Sequence, residues 1–364
     1  MQSWGHLVGT YAVGHGLFEF ACALQVAWLA TGSGHAATMI LAYNACAFGS
    51  PLLLATLVPS LSRRPWPAST GQLAMIGSLV AVGGTMAAGL APLSIILLGL
   101  GNGAYHLAAG TATLRLPHRP VAAVGLFEGP GALGRVSGLV LGMGALATSN
   151  RGPWLWALAA LFLAIGLFTI KPGTLSVWRP PMPTGALMPH LGFVLLGLAA
   201  LSVLRGMSGD VVTPAPDTGS TLMLAGLMIC LGRCAGGLLA ETFGLTNVII
   251  YGFIGTGLLF VLNPTTTWVM AAALFTLGVP MAPILGALAL HLKGQEPVAF
   301  GLAQVFQLAG ATLAVTGMNH LWLVAVAAGC ALLAPWLLRL ISPYSAPTRV
   351  HPTPVDGGWP ATSK

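Results

Sequence analysis

Residues 231–244 read LGRCAGGLLAETFG; they cover the end of one apolar run, 219–239, and lead into the next, 245–262. The small residues of this stretch would let two helix ends approach closely. Its two charged residues, Arg233 and Glu241, could form a charge cluster that latches one face of a helical bundle. The composition of the whole chain indicates what surrounds such helices.

The composition excludes a soluble protein. The chain has 364 residues, of which 56% are hydrophobic and only 6% are charged, whereas a soluble globular protein carries about 25% charged residues. So few charges could not cover a water-exposed surface of this size, and the sequence predicts an all-α membrane protein. Residues 1–4, MQSW, lack the basic stretch of a secretory signal peptide, so we expect the first apolar run to be a true transmembrane helix.

Length and polarity divide the chain into membrane spans. A transmembrane helix needs about 20 mostly apolar residues. Breaking the chain at charges, prolines and glycine clusters gives twelve segments, which cover residues 5–30, 36–58, 70–90, 92–115, 120–147, 153–170, 188–212, 219–239, 245–262, 267–291, 297–317 and 319–341.

Two proline-rich polar stretches set the predicted domain boundaries. The first predicts a cytoplasmic linker at 171–187, between an N-terminal six-helix bundle (1–170) and a C-terminal six-helix bundle (188–341). The second predicts a disordered cytoplasmic tail at 342–364.

The positive charges alternate from loop to loop. Of the 14 Lys and Arg residues, 11 fall in alternate connections, only Arg151 falls in the opposite set, and Arg135 and Arg205 lie within helices. Positively charged loops stay cytoplasmic, so we predict a multi-pass protein of the plasma (inner) membrane with both termini in the cytoplasm. The net charge of +7 is then a topology signal, and no nucleic-acid partner is needed to explain it.

Twelve helices in two sets of six, joined by a cytoplasmic linker, resemble the major facilitator superfamily of transporters. The stretch 231–244 is similar to a loop signature of that family, with Gly232, Arg233, Gly236, Glu241 and Gly244 among the matching positions. The corresponding stretch of the first half, 48–64, keeps a basic pair but lacks the acid. The resemblance implies the two-bundle major facilitator fold.

A second motif bears on transport. GLFEGPGALGRVSG (125–138) resembles the helix-5 pattern of proton-driven antiporters in this superfamily, through Gly125, Gly129 and Pro130. Together with GLGNGAYHLAAGTATL (99–114) it is similar to a branch near the fosmidomycin-resistance exporters. The resemblance implies a proton-coupled secondary transporter that exports a small organic molecule by antiport and alternating access. Glycine spacing of this kind is also common in membrane helices that only pack closely.

Polar stripes on the predicted helices supply candidate site residues. His15 and Glu19 are four residues apart, as are Asn102 and His106, so each pair shares one helix face. An ionisable residue in a membrane costs about 2.5–3.5 kcal/mol on insertion scales and generally faces an interior cavity. Tyr11 lies one turn before His15 on the same stripe.

The resemblance brings these stripes together. In the superfamily fold, helices 1 and 4 line a central cavity that helix 5 flanks, so the candidate proton-coupling and substrate residues are His15, Glu19, Asn102, His106, Glu128 and Arg135. Histidine titrates close to physiological pH, and a glutamate could hold a proton in one facing state and release it in the other. Protons would be the coupling ion, and no cofactor is expected. Alternatively, Glu128 only neutralises Arg135, and His106 is a packed, hydrogen-bonded histidine.

The second half is poorer in charge. Arg205 could bind an anionic group of the substrate or pair with Asp210, five residues on. Pro280 and Pro283, in GVPMAP (278–283), predict a bent, gating helix. Further cavity candidates are Tyr11, Asn44, Asp210, Gln304 and Gln307. The two glutamines could equally serve as interhelical hydrogen-bonding groups.

Two other functions compete with proton-coupled transport. His15, Glu19, His106 and Glu128 could form a set suited to a divalent transition-metal ion, although the chain has no His-rich tract. A membrane assembly factor that has lost transport would be consistent with the missing first-half acid. We expect a monomer with a small-molecule substrate in a lipid bilayer, and not an enzyme, because neither a phosphate-binding glycine loop nor an H-E-x-x-H motif is found.

Overall fold

The computed structural model describes residues 4–31, 33–61, 69–144, 151–170, 219–262, 266–292 and 294–315, and this part of the chain is helical. Its helices are α1 (Trp4–Ala30), α2 (Ala36–Leu61), α3 (Thr70–Met86), α4 (Ala91–Leu114), α5 (Pro120–Met143), α6 (Arg151–Ile170), α7 (Gly219–Phe243), α8 (Leu245–Val261), α9 (Thr267–Gly278), α10 (Met281–His291) and α11 (Glu296–Val315).

Length and composition make six of the described helical stretches able to cross a membrane. They are α1, α2, α4, α6, α7 and the continuous stretch Thr267–His291, which contains α9 and α10. Large apolar side chains project outward from several helices; Trp268 is 80% exposed, Phe168 75% and Trp156 71%. Apolar surface of this kind needs a lipid environment, since it would be unfavourable in water.

Local sequence explains where several helices begin and end. Ser69 and Gln72 form a capping box at the start of α3, which satisfies backbone N–H groups that the helix itself leaves unpaired. Pro120 opens α5, a position where its missing N–H costs nothing. Gly244, with a φ of 84°, separates α7 from α8, because a left-handed turn is readily adopted by glycine.

Glycines let the helices pack closely. α1 packs on α5 and α3 packs on α4, and a Cβ at Gly77 would lie only 2.7 Å from the carbonyl oxygen of Gly101. α5 packs on α7 in the same way, since a Cβ at Gly125 would lie 2.9 Å from the Cα of Gly237. Close approach of this kind is the usual source of helix association in membranes, where lipid removes the hydrophobic drive.

Helices from the two sequence halves contact each other directly. α5 lies against α7 and α10, and α11 lies against α2 and α4. At one end Arg115 Nε donates to Glu296 Oε2 at 2.8 Å, and Glu241 Oε1 accepts from the backbone N–H groups of Val121 and Ala122 at 3.0 and 3.1 Å. The charge pattern predicts this end to be cytoplasmic, and these bonds hold the halves together there.

The predicted proline break is confirmed. The span at 267–291 is divided into α9 and α10, which end and begin on either side of Val279 and Pro280. Proline lacks an N–H and its ring crowds the preceding turn. Pro283 is buried in the first turn of α10. Whether this break gates transport stays a prediction.

The predicted spans agree with the described helices to within a few residues at each end. The seventh and twelfth spans, 188–212 and 319–341, lie outside the described residues, as do the linker and the tail. The twelve-helix count and the domain boundaries therefore stay predictions.

Candidate functional site

A small polar cavity lies where α1, α2, α4, α5, α7 and α11 meet. Its volume is about 40 Å³, which is room for a few water molecules, since one needs roughly 10–15 Å³. The cavity is lined by His15, Glu19, Phe48, His106, Glu128, Gly131, Ala132, Arg135, Arg233, Gln304 and Gln307. Residues from both sequence halves therefore share one polar chamber within an apolar bundle.

The two predicted stripes on α1 and α4 meet in this chamber. His15 Nε2 lies 2.7 Å from His106 Nε2, and His106 Nε2 lies 3.0 Å from Glu19 Oε1. All three side chains are at least 95% buried. His15 and Glu19 are four residues apart and so lie on the same side of α1. α4 packs against α1 and supplies His106 to this side.

The hydrogen bonds of His15 fix its tautomer. His15 Nδ1 lies 2.7 Å from the carbonyl oxygen of Phe127, and a carbonyl only accepts, so Nδ1 carries a hydrogen. The 2.7 Å contact between the two Nε2 atoms then holds a single proton, because two would clash and none would leave two lone pairs facing each other. His106 Nδ1 has no hydrogen-bond partner in the described part of the protein, so the geometry matches a neutral histidine pair.

A second layer supports Glu19. Asn102 Nδ2 donates to Glu19 Oε1 at 2.8 Å and to the Tyr43 hydroxyl at 2.7 Å. Glu19 Oε1 thus accepts from Asn102 and shares the single hydrogen of His106 Nε2 with His15 Nε2. Both contacts fall on the same carboxyl oxygen, which acts as an acceptor in each of them.

Phe127 and Gly131, one turn apart on α5, place the His15 ring. The ring stacks on Phe127 with centroids 4.3 Å apart. A Cβ at position 131 would collide with the atoms of the same ring. Only glycine at this position leaves room for the imidazole.

Charge pairing on α5 differs from the sequence predictions. Glu128 does not neutralise Arg135, since Arg233 Nη1 donates to Glu128 Oε2 at 3.3 Å and to its backbone carbonyl at 3.0 Å. Arg135 instead donates to Asn44 Oδ1 at 3.2 Å and lies 5.7 Å from the centroid of the Phe48 ring. Glu128 and Arg135 are seven residues apart and so lie on one face of α5, but this spacing does not indicate which partner another helix brings.

The sequence predicts a charge cluster of Arg233 with Glu241, and this prediction is wrong. Arg233 lies inside α7 and lines the cavity, while Glu241 binds the backbone at the start of α5. Eight residues separate the two, about two helical turns, so one sits at the helix end while the other reaches the bundle interior.

The remaining motif positions mainly serve packing. A Cβ at Gly129 would meet the Cys234 sulfur, and one at Gly232 or Gly236 would meet the backbone of the α9–α10 region. Pro130 packs against Gly16. The prediction of close helix approach in both motifs is therefore confirmed.

Other candidates lie in different places. Gln304 and Gln307 line the cavity, and Asn44 reaches it through Arg135. Tyr11 is buried, with its hydroxyl 3.4 Å from Thr70 Oγ1 and its ring at the edge of Tyr105, so the stripe on α1 leaves the cavity before that turn. Arg205 and Asp210 lie outside the described residues.

One subset of the cavity residues could hold a metal ion. Ligand atoms of His15, Glu19 and His106 all lie within 4.8 Å of one another. Glu128, the fourth member of the predicted set, pairs with Arg233 instead. Three groups of this type suit a divalent transition metal, but the two arginines that line the same cavity raise the electrostatic cost of a doubly charged cation there.

Sequence reasoning missed several residues that shape the site. Phe48, Phe127 and Tyr43 read as ordinary membrane-helix residues, and Gly131 and Ala132 as ordinary small ones. Only Arg233 carried a usable signal, because a charge inside an apolar run of this length is costly and so indicates an interior position.

A scan against protein-family models finds no match. A search of curated proteins finds no significant match either. The comparison with solved structures does find matches, and they share one fold.

The chain is similar to two structures of the fucose:proton symporter FucP. A variant of the E. coli protein aligns with a TM-score of 0.68 at 13% identity, over 93% of this chain and 99% of that one. FucP in the outward conformation aligns with a TM-score of 0.61 at 13% identity, over 92% of this chain and 99% of that one.

The chain is also similar to the human organic anion transporter MFSD10 (TETRAN), which aligns with a TM-score of 0.64 at 15% identity, over 93% of this chain and 99% of that one. The chain therefore has the fold of solved major facilitator superfamily transporters.

Proposed function

We propose that this protein is a proton-coupled secondary active transporter of a small organic molecule and works by alternating access. The observation that carries the proposal is the His15–His106–Glu19 network, which is buried, titratable and directly beside the cavity. Proteins of this fold that have been solved include a fucose:proton symporter, and that likeness supports the same class of function here.

The network has the parts that proton coupling requires. One hydrogen at His106 Nε2 lies within reach of both His15 Nε2 and Glu19 Oε1, and Asn102 donates to the same Glu19 oxygen. A proton that arrives at this group neutralises Glu19 and weakens the bonds that tie α1 to α4. A change of charge between two packed helices is a local event that can shift a two-state bundle.

Alternating access also requires that one side close while the other opens. The Arg115–Glu296 pair and the Glu241 contacts join the halves at one end. The side chains of Arg115 and Glu296 are only 2% and 11% exposed. Removing one partner of a buried ion pair destabilises a folded state by about 3–5 kcal/mol, because the other charge is left buried and unpaired. These contacts would therefore hold the closed state at the end predicted to be cytoplasmic and would have to separate when it opens.

Export by antiport is a finer proposal. It rests on the helix-5 motif at Gly125, Gly129 and Pro130 and on the sequence resemblance to proton-driven antiporters.

The test is proton flux in proteoliposomes that contain a pH-sensitive dye. Gradients of a sugar panel, an amino-acid panel and a carboxylate panel are imposed in turn. We expect at least one gradient to drive proton movement in the wild type and none to do so in protein-free vesicles. If the internal pH ignores every substrate gradient in a folded, correctly inserted preparation, the proposed function is wrong.

A transition-metal carrier is the second candidate, favoured by the three clustered ligand groups. Protein purified without chelators would then hold about one transition-metal ion per chain, and His15→Ala would lose it. Metal analysis by mass spectrometry that shows no such ion removes this candidate and leaves proton coupling untouched.

A further inference from the structure

Several polar atoms of the cavity residues lack a hydrogen-bond partner. Gln304 Oε1, Glu128 Oε1 and Arg233 Nε are buried and unpaired within the described part of the chain, and all three residues line the cavity. Buried polar groups are nearly always hydrogen-bonded. Two unpaired acceptors and one unpaired donor beside one chamber indicate a place for a polar ligand.

Arg135 adds a charge that no described residue balances directly. Among the described residues it makes no ion pair, and its hydrogen-bond acceptor is the neutral Asn44 Oδ1. A guanidinium has five N–H donors in a planar fork that matches a carboxylate or phosphate. Arg233, by contrast, already forms an ion pair with Glu128, with Nη1 and Oε2 3.3 Å apart. Arg135 is therefore the better binding group for an anion.

We propose that the transported molecule is a small organic anion that carries hydrogen-bond donors of its own, such as a hydroxycarboxylate. Its acidic group binds Arg135, and its donors bind Gln304 Oε1 and Glu128 Oε1 across the cavity. This inference rests on the proposed transport function, since it names the substrate class of the same site.

The charge balance of the cavity links this anion to the proton. In the part of the chain that the structure describes, the titratable and charged groups that line the cavity are Glu19 and His15 from α1, His106 from α4, Glu128 and Arg135 from α5, and Arg233 from α7, whereas α11 contributes the neutral Gln304 and Gln307. With both glutamates ionised and both histidines neutral, the two carboxylates balance the two guanidinium groups. An anion alone would leave one uncompensated negative charge in a low-dielectric chamber, and one added proton removes it.

Anion and proton therefore strengthen each other's binding, because coupling between two sites is reciprocal. A carrier with this property moves both in the same direction. A cationic substrate would instead compete with the proton, as antiport requires. The cavity thus favours symport, in contrast to the antiport expected from the helix-5 motif.

The size of the cavity sets one condition. About 40 Å³ accommodates a few waters and not a whole hydroxycarboxylate. The two halves must separate on one side before the anion enters, and ordered waters would occupy the polar atoms until then.

The test is direct binding to the purified full chain in detergent, which needs no transport. Lactate is compared with lactamide, and gluconate with glucose, so that each anion has a neutral counterpart of similar shape. Affinity is measured by calorimetry and by thermal stabilisation at pH 6 and pH 8. We expect an anion to bind more tightly than its neutral counterpart, and more tightly at pH 6, by up to about tenfold per pH unit while one proton is taken up with it.

Arg135→Gln should weaken anion binding by about ten- to a hundredfold, as expected for the loss of a charged hydrogen bond. Arg135→Lys should retain part of the affinity, which guards against misfolding of the first variant. Arg151→Gln, at an exposed arginine at the start of α6, is the matched control and should bind like the wild type.

If neither anion exceeds its neutral counterpart in the wild type, or if Arg135→Gln binds anions undiminished, the inference is overturned. It is also overturned if anion affinity rises with pH. Anion binding that is lost in Arg135→Gln, in a protein that moves no protons in vesicles, would sustain the anion site at Arg135 and reject the transport proposal. Proton-coupled flux of a neutral or cationic molecule that survives Arg135→Gln would sustain the transport proposal and reject the anion site.

Discussion

Two buried polar clusters connect α1 to its neighbours, and they are built differently. The first is the His15–His106–Glu19 network beside the cavity. The second, nearer the other end of α1, joins Gln25 to Thr85 and Ser94. Gln25 Nε2 donates to Ser94 Oγ at 3.1 Å and to the Gly84 carbonyl at 3.4 Å, while Gln25 Oε1 accepts from Thr85 Oγ1 at 2.9 Å.

The Gln25 cluster is saturated and contains no titratable group. Ser94 Oγ also donates to the Gly84 carbonyl at 2.7 Å, and Thr85 Oγ1 to that of Ala81 at 3.0 Å. The cavity network instead contains three titratable side chains and is flanked by polar atoms without described partners, on His106, Asn102 and Glu128. A saturated neutral cluster stabilises one packing arrangement, whereas an unsaturated titratable one can change its bonds when a proton or ligand arrives.

The largest effect should come from Glu19→Gln. Glutamine keeps an oxygen that can accept from Asn102 and His106 but cannot ionise, so the fold should survive while proton coupling is lost. A positioned proton-transfer group is worth about 10²–10⁴-fold in rate, and we expect proton flux in proteoliposomes to fall by at least about 10². Wild-type flux in this variant would mean that the cavity network is structural, like the Gln25 cluster.

Gly131→Ala should come next. The added Cβ would collide with the His15 ring and displace it from His106, at a cost of about 1–3 kcal/mol for overpacking. We expect proton flux to fall about tenfold. Gly9→Ala is the matched control on α1, because a Cβ there meets nothing within 4 Å. Equal flux in both variants would show that the His15 position does not matter.

Gln25→Leu should separate stability from transport. The variant removes the hydrogen bonds to Ser94 and Thr85 and leaves buried groups unpaired, which costs about 1–3 kcal/mol. We expect a lower free energy of unfolding in a mixed-micelle denaturation series, with unchanged proton flux per folded molecule. A selective loss of flux, with normal stability, would contradict the distinction between the two clusters.

The smallest effect should come from Tyr43→Phe. The hydroxyl accepts from Asn102 at 2.7 Å, so its removal loosens the group that holds Glu19 without touching the histidines. We expect a stability loss of about 0.5–1.5 kcal/mol and a two- to threefold change in flux. A loss of flux as large as that of Glu19→Gln would place the hydroxyl in the proton path itself.

The sequence by itself determined the membrane environment, most helix boundaries and one half of the site. The apolar runs had to be helices because only helices and closed barrels satisfy backbone hydrogen bonds in lipid. Four-residue spacing paired His15 with Glu19 and Asn102 with His106 because it reflects the helix period, which is local. The proline break near Pro280 is local for the same reason.

Only the tertiary structure decided which polar residues of one helix contact those of another. The 2.7 Å contact between His15 and His106 joins residues 91 positions apart, and the Glu128–Arg233 bond joins residues 105 apart. Such pairings depend on how glycines such as Gly125 and Gly237 let α5 and α7 approach, and no periodicity along the chain encodes that. Glu128 and Arg135, the candidate partners on one helix, do not pair because a neighbouring helix supplies Arg233 to Glu128.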